Sequence, residues 1–387
     1  MSDSMEGFEL LTMNWRSALL GLTMVCSAVA LAYLARRGIE RAAINWLAVL
    51  VIAANIAAIP MMIGFAGAYD VWPGLTFLPT QTVLLFGPAI MLHARAMMLQ
   101  EPDLRPLLLF VPGIAYLLYQ LWAFTMLGDY RNKWAFNDAV HEPYVYPLAM
   151  IASWVLIAGC LIYVWLLRAR YLVWLTQNRS DDDQFSPVWL THLVYLTAGA
   201  GMFYMVESAS AQWLGWNYFE TFIWDFVALF AIFIITLEAL ASMDRPFPKM
   251  GSDDEAKSIA PTSSPDRDWV LEGTRLKAAV LENKWHLDPS LSLQTLSRRF
   301  GMNQVYLSRA INQGLGLNFS GFVNRLRVEY AKSQLVKEDA SIIDIALASG
   351  FGSKASFNRA FKLHAGCSPS EYRQKHSEDG TSQIKKK

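Results

Sequence analysis

The sequence predicts an all-α protein in which a seven-helix transmembrane bundle is followed by a soluble helical domain. Three observations lead to this prediction: a high apolar content, a series of long apolar stretches, and a polar C-terminal part. Of the 387 residues, 54% are hydrophobic and only 17% are charged, which is too apolar for an ordinary soluble protein. The net charge is zero, but residues 1–244 hold 11 Lys/Arg against 18 Asp/Glu, whereas residues 266–387 hold 19 against 12. This asymmetry predicts a polyanionic partner for the basic C-terminal part.

Seven apolar stretches follow one another along the first 240 residues. A helix of about 20 apolar residues crosses roughly 30 Å of hydrocarbon, and seven in succession favour membrane spans over buried helices of a soluble protein. The leader carries Asp3, Glu6 and Glu9 where a cleaved signal peptide has a basic region. The first stretch is therefore expected to remain as a span. The stretches are 15–35, 44–66, 76–99, 106–127, 144–167, 188–214 and 218–240.

The Lys and Arg residues of the connecting segments predict the orientation. With the N-terminus outside, the inward segments hold ten of them and the outward segments hold three, so the C-terminus is predicted to be cytoplasmic. An acidic run at 181–183 on an inward loop is interpreted as solvated. The inward residues are Arg36, Arg37, Arg41, Arg95, Arg105, Arg168, Arg170, Arg179, Arg245 and Lys249, and the outward ones are Arg16, Arg131 and Lys133.

Composition divides the chain into four parts. A membrane domain is predicted over 1–243. Residues 244–266 are rich in Pro and Ser with alternating charge, which is typical of a flexible linker. Helical patterning resumes over 267–376, and residues 377–387 are expected to form a disordered basic tail.

Two segments of the C-terminal part, 292–312 and 342–362, share one design. In each, a small residue stands four positions before a glycine, and a polar residue caps the helix that follows. Two helices cross closely only where the contact residue is small, and glycine permits a left-handed turn, so the design predicts two helix-turn-helix motifs. The small, glycine and capping residues are Ser297, Gly301 and Asn303 in the first segment and Ala346, Gly350 and Ser353 in the second. The predicted core residues are Leu296, Phe300, Leu307, Ile345, Phe351, Phe357 and Phe361.

The stretch from about 270 to 375 resembles the DNA-binding domain of the AraC/XylS family of bacterial transcription regulators. The resemblance rests on LSLQTLSRRFGMNQVYLSRAIN, on GLNF with NRLRVEYAKSQL, and on SIIDIALASGFGSKASFNRAFK with GCSPSEYR. It covers a little over a quarter of the chain and does not extend to the membrane part. Ser297 stands where the family usually has Ala, and Val305 where a larger side chain often reads DNA.

The resemblance implies seven helices in two helix-turn-helix subdomains joined by a long helix near 319–336. The helices Gln304–Asn312 and Lys354–Lys362 would enter successive major grooves, roughly 34 Å apart. Arg309 and Arg359 are the best candidates for bidentate pairing with guanine. The implied base-contacting residues are Gln304, Ser308, Arg309, Lys354, Ser356, Asn358 and Arg359. Lys362 and Arg373 are expected to contact phosphates, a role that also suits Lys354.

These features together predict a membrane-anchored one-component transcription regulator of the bacterial inner membrane, whose membrane domain senses a signal. The predicted partners are double-stranded promoter DNA, membrane lipid and an unknown signal molecule, with RNA polymerase and a second copy of the chain as further candidates. No catalytic motif is evident, and Cys26, Cys160 and Cys367 lack metal-ligand spacing, so neither catalysis, a metal nor a cofactor is expected. Two alternatives are a transporter or membrane enzyme with a fused regulatory tail, and a tail that serves only as a protein-interaction module.

Glu207 and Asp225 are candidate signal-sensing residues. The last two stretches are joined by about three residues, so they form an antiparallel hairpin that places both carboxylates at one depth, about 10 Å inside the outer boundary. Ionisable groups at such a depth usually face a cavity or each other. If the two are close, they could share a proton and respond to pH or to a cationic ligand. The alternative is that Ser208, Ser210 or Thr221 hydrogen-bonds them and only packing is fixed.

Overall fold

The computed structural model describes residues 14–37, 39–100, 103, 105–214, 218–242, 246–251, 268–337 and 340–384. Within these residues every regular element is helical and no strand forms, which confirms the all-α prediction. The chain divides into two compact units. The first unit comprises Met1–Arg168 and Pro187–Ser258, and the second comprises Ala169–Ser186 and Ile259–Lys387.

The first unit is a bundle of long apolar helices with short connections. A buried apolar cluster that includes Leu20, Ala54 and Leu229 packs its first, second and last helices together. The helices are α1 (Trp15–Arg37), α2 (Arg41–Phe65), α3 (Ala68–Val71), α4 (Phe86–Met98), α5 (Val111–Met126), α6 (Tyr130–Phe136), α7 (Tyr146–Asn178), α8 (Val188–Leu214) and α9 (Tyr218–Ser242). The part of α7 from Ala169 onward belongs to the second unit. The connections include 3₁₀ turns at Pro73–Phe77, Val83–Leu85 and Arg105–Phe110 and a π-helical segment at Asn137–Val145.

Four helical segments of the described chain, rather than seven, are long and apolar enough to cross a membrane. They are Trp15–Arg37, Arg41–Phe65, Arg105–Met126 and Tyr130–Asn178. Three shorter apolar helical segments accompany them, Val83–Met98, Val188–Phe203 and Phe226–Ser242. In the predicted stretch 76–99, residues 78–82 are not helical and separate the 3₁₀ turns at Pro73–Phe77 and Val83–Leu85. This break contains Pro79, and proline disfavours a continuous helix.

Two boundaries of the membrane part differ from the sequence prediction. Helix α7 continues to Asn178, eleven residues beyond the predicted end of the fifth stretch at residue 167. Part of the predicted linker is also held in place, because Phe247 is buried and its N–H donates to Glu40 Oε1 at 3.1 Å. The Met250 N–H likewise donates to Met98 O at 2.9 Å.

The second unit contains two small hydrophobic cores that share one helix. Its helices are α10 (Trp269–Glu282), α11 (Leu293–Phe300), α12 (Gln304–Leu315), α13 (Phe319–Lys337), α14 (Ile342–Ala348), α15 (Lys354–Ala365) and α16 (Pro369–Ile384). The first half of α13 gives Phe322 and Leu326 to the first core, and its second half gives Val328 and Leu335 to the second core. The seven helices and the joining role of α13 are as the resemblance implies. Helix α16 includes eight residues, 377–384, of the tail predicted to be disordered.

Candidate DNA-binding site

The first helix-turn-helix motif forms as its sequence predicts. Ser292 caps α11 by accepting the Thr295 N–H at 3.1 Å, and Ser297 is 5% exposed at the helix crossing. The helix ends at Gly301, whose φ of +61° is left-handed. Asn303 then accepts the Val305 N–H at 2.7 Å and begins α12, since a side-chain oxygen satisfies an amide that has no partner within the helix.

The second motif repeats this design, but its glycine lies closer to a neighbouring backbone segment. Ser341 caps α14, and Ala346 is 1% exposed. Gly350 has a φ of +86°, and its backbone approaches that of Leu287 so closely that a β-carbon would lie 2.7 Å from the Leu287 carbonyl oxygen. Ser353 accepts the Ser356 N–H at 3.1 Å and begins α15. Both motifs are therefore confirmed at the level of caps, turns and crossings.

The predicted core residues lie inside, with one exception. Six are at most 3% exposed: Leu296, Leu307, Ile345, Phe351, Phe357 and Phe361. Phe300 is only partly buried, and its ring packs edge-on against Trp285 at a centroid distance of 5.2 Å. Phe357, Ala360 and Phe361 occupy the inner face of α15, so the positions on the opposite face are turned outward.

The predicted reading residues differ in exposure between the two helices. On α12, Gln304, Ser308 and Arg309 are half-buried, and the Ser308 hydroxyl accepts from Asn312 Nδ2 at 3.3 Å. On α15, four predicted contact residues are exposed: Lys354, Asn358, Arg359 and Lys362. Helix α15 therefore presents the more accessible reading surface.

Two predicted contact residues also make structural hydrogen bonds. The Ser356 hydroxyl donates to the Ser353 carbonyl at 2.8 Å. Arg373 donates from Nη2 to the Ala340 carbonyl at 2.7 Å, which ties α16 to the segment before α14. Both side chains are half-buried.

The charge of the two reading helices suits a polyanion. Neither α12 nor α15 contains an Asp or a Glu, and the whole segment from Pro289 to Val328 has none. Burial, with the nearby charges of Arg325 and Lys332, lowers the pKa of His364 below its ordinary value. His364 is therefore neutral at pH 7, and the positive charge of α15 comes from Lys354, Arg359 and Lys362. Such a field attracts phosphates and weakens with salt.

A buried arginine of this unit was missed by sequence reasoning. Arg327, in the middle of α13, is 1% exposed and donates to the backbone carbonyls of His286 and Asp288, each at 2.7 Å. Burial lowers the pKa of Arg327 to about 10, while the nearby Asp181, Asp288 and Asp182 oppose the shift. Its signal in the sequence is a charged residue placed between apolar Leu326 and Val328.

The other predicted functional groups are less fully described. Glu207 and Asp225 lie in α8 and α9, but their side chains are outside the described residues. Cys26, Cys160 and Cys367 have free thiols, and no group of three or more metal-ligating side chains occurs among the described residues.

The first unit contains a cavity of about 400 Å³. Seven helices contribute to its lining, through residues such as Leu20 of α1, Ile90 of α4 and Leu229 of α9; they are α1, α2, α4, α5, α7, α8 and α9. None of the described lining residues is charged. Gln81 and Tyr116 place polar groups in the cavity wall. The Tyr116 hydroxyl donates to Gln81 Oε1. A mostly apolar cavity with a few polar groups is typical of small-molecule sites.

Comparison with known proteins places the second unit among DNA-binding regulators. A family model described as a helix-turn-helix domain matches residues 296–375. The probable transcription factor PqrA of Proteus vulgaris is 31% identical over 94 residues, which are 24% of this chain and 77% of that protein. Uncharacterised HTH-type transcriptional regulators of Staphylococcus aureus are 42% identical over 88 residues, but these span only 12% of their length and 23% of this chain.

A solved protein of unknown function from Listeria innocua is 34% identical, covering 27% of this chain and 95% of that chain with a TM-score of 0.25. Both the helix-turn-helix family model and the relatives named as transcription regulators match within the second unit. The chain belongs to the AraC-type helix-turn-helix regulators.

Proposed function

We propose that this chain is a membrane-anchored one-component transcription regulator of the bacterial inner membrane. Its second unit binds promoter DNA in the cytoplasm, and its first unit senses the signal. The observation that carries the proposal is the joining, in one chain, of an apolar helical bundle to two complete helix-turn-helix motifs. RNA polymerase and a second copy of the chain are further proposed partners.

In the proposed complex, α12 and α15 enter successive major grooves. The base-contacting residues are those named from the sequence, with Arg359 as the leading one on the exposed surface of α15. Lys362, one turn further along the same helix, contacts the phosphate backbone. The absence of carboxylates from both helices supports this arrangement, because a reading helix must approach phosphates closely.

Arg359→Ala should relax specificity at one or two positions of the bound site, because a bidentate arginine supplies about 1–3 kcal/mol of discrimination. Lys362→Ala should instead weaken binding to all sequences alike and lower the salt slope by about one. Electrophoretic mobility shifts with the full chain in nanodiscs, on promoters found by genome-wide mapping of bound DNA, measure both effects. Unchanged sequence preference in Arg359→Ala would contradict its assignment.

Contacts within the first unit support a seven-span topology with a cytoplasmic C-terminus. Three segments that charge bias assigns to the inner side lie together: the α1–α2 connection, the end of α4 and the segment after α9. Lys249 Nζ lies 2.9 Å from Glu40 Oε2, and the Gln100 N–H donates to Met250 O at 3.0 Å. Helices α1, α4 and α9 are the first, third and seventh of the seven helices that line the cavity, so all three end on one side if each of the seven crosses the membrane once.

A topology reporter fused after Lys249 should therefore behave as cytoplasmic, and one inserted within 129–142 as extracytoplasmic. Paired alkaline phosphatase and green fluorescent protein fusions measure this, since each is active on only one side. Cytoplasmic behaviour of the second fusion would contradict the seven-span model.

The cavity of the first unit is the proposed site of the signal molecule. Its uncharged lining suits a neutral, mostly apolar molecule that carries a hydrogen-bonding group for Gln81 or Tyr116. The pair Glu207 and Asp225 stays a second candidate, which would respond to protons or to a cation instead.

Ala200→Phe should fix promoter output at one level across growth conditions, because Ala200 lines the cavity and a phenyl ring would fill part of it. Ala198→Phe is the matched control, since Ala198 lies on the same helix but is exposed. A promoter reporter, with immunoblotting of membranes to verify protein level, measures the effect. Normal induction in Ala200→Phe at normal protein level would remove the cavity from the sensing mechanism.

A further inference from the structure

We propose that the loop after α7 is a docking element that binds the junction of the two helix-turn-helix subdomains and transmits the state of the membrane helices to them. The docking loop is Arg179–Phe185. It belongs to the same compact unit as the DNA-binding helices, although more than 80 residues separate it from the first of them, α10. It is joined covalently to α7, whose first part lies in the membrane unit. The transmission role rests on the proposed function.

The docking loop pairs with the backbone that leads into the first motif. Arg179 and Ser292 form an antiparallel bridge, and Ser292 is the cap of α11. Ser180 is 3% exposed. Both its N–H, at 3.2 Å, and its hydroxyl, at 2.7 Å, donate to the Leu291 carbonyl. The loop is thus fixed to the start of the first reading subdomain by backbone as well as side-chain atoms.

Arg327 joins the docking loop to α13. Its guanidinium donates to the Ser180 carbonyl at 3.3 Å and to the Ser180 hydroxyl at 3.0 Å, in addition to its bonds to His286 and Asp288 between α10 and α11. The same guanidinium lies over the ring of Phe351, 5.6 Å from its centroid, in the turn of the second motif. One buried side chain therefore contacts the docking loop and both subdomains.

Two residues of the acidic run at 181–183 also take part in the docking contact. The expectation that this run is solvated is therefore wrong for these two residues. Asp181 is paired with Arg179 through two hydrogen bonds of 2.7 Å, and its side chain is 8% exposed. Asp182 Oδ1 accepts the Ser320 hydroxyl at 2.8 Å near the start of α13. The two carboxylates also compensate the charge of the buried Arg327.

The docking loop reaches the second motif as well. A methyl group added at Gly352 would overlap the amide of Gln184, and Gly352 directly precedes the cap of α15. The loop therefore contacts the start of the first motif, the joining helix and the turn of the second motif. Such a three-point contact restricts the angle between α12 and α15, and the docked loop favours the arrangement that binds DNA.

Disulfide trapping tests the contact in the full chain. Asp182→Cys and Ser320→Cys are combined in a chain whose three native cysteines are replaced by serine and that carries a protease site within 252–265. After mild oxidation of membranes and cleavage, the two fragments should stay joined until reduced. Asp103→Cys with Ser320→Cys is the control for random collision, because Asp103 lies on a different inner segment. Separation of the fragments in both pairs would overturn the proposal.

Promoter affinity tests the transmission role. Ser180→Gly with Asp182→Ala should lower affinity for the complete site by roughly tenfold, because hydrogen bonds of the docked state are lost. Thr274→Ala is the control and should bind like the wild type, since it removes an exposed hydroxyl that donates to Val270 of its own helix, α10. Unchanged or tighter binding by the double variant would overturn the proposal. If the wild type itself bound no promoter DNA, the proposed function would fail while the trapping experiment would still report on docking.

Discussion

Gly350→Ala should abolish promoter binding and destabilise the second helix-turn-helix motif by about 3–4 kcal/mol, close to the upper end for single substitutions. Gly350 has a φ of +86°, and an added β-carbon would lie 2.7 Å from the Leu287 carbonyl oxygen. A left-handed backbone costs a residue with a β-carbon about 1–2 kcal/mol. The rest of the lost stability comes from displacing the backbone at Leu287, which cannot rotate away as a flexible side chain would.

Gly301 provides the matched control at the equivalent position of the first motif. Its φ is +61°, but no described atom lies within 4 Å of the place where a β-carbon would be. Gly301→Ala should therefore cost only the backbone term of about 1–2 kcal/mol. Pulse proteolysis of membranes in increasing urea measures both stabilities, and mobility shifts measure promoter binding. Equal losses in the two variants would refute the role of the Leu287 contact.

Arg327→Met should destabilise the second unit by about 3–5 kcal/mol, which is the usual cost of breaking a buried ionic network from one side. Methionine replaces the aliphatic part of the arginine side chain, but it ends near the position of Nε and donates no hydrogen bond. The carbonyls of Ser180, His286 and Asp288 would each lose a partner, and Asp181 and Asp182 would lose the positive charge that they surround.

Arg325→Met is the control for this substitution, since Arg325 lies on the same helix and is exposed. It should change the free energy of unfolding by no more than about 0.5 kcal/mol. The same urea series measures both variants. A loss below about 1 kcal/mol in Arg327→Met would show that water replaces the guanidinium at these carbonyls.

Local patterns predicted the DNA-binding unit well. The caps Asn303 and Ser353 and the glycines Gly301 and Gly350 were found because a turn is determined by residues a few positions apart. The core positions followed from helical spacing. Phe300 was the exception, because its exposure depends on Trp285, a neighbour outside the helical pattern.

Features that depend on distant partners were not predictable in this way. Ser180 and Arg327 are 147 residues apart, and nothing in the acidic run at 181–183 shows which of its members will be buried. The same holds for Phe247 in the predicted linker, whose N–H bonds to Glu40, 207 residues earlier. The membrane spans were predicted from hydropathy, which does not represent backbone geometry. The break near Pro79 in the stretch 76–99 was missed for this reason.

If α12 and α15 read DNA as proposed, helix α13 limits which promoters they can bind. Because its two halves are embedded in separate cores, α13 keeps both reading helices on one face of the DNA and sets their separation, while their mutual angle is left to the docking loop. Both half-sites must therefore face the same side of the duplex, with their centres about one turn, or 10–10.5 base pairs, apart. Inserting about five base pairs between them would rotate one half-site to the far side, beyond the reach of α15, whereas inserting a full turn would restore its direction but not its distance.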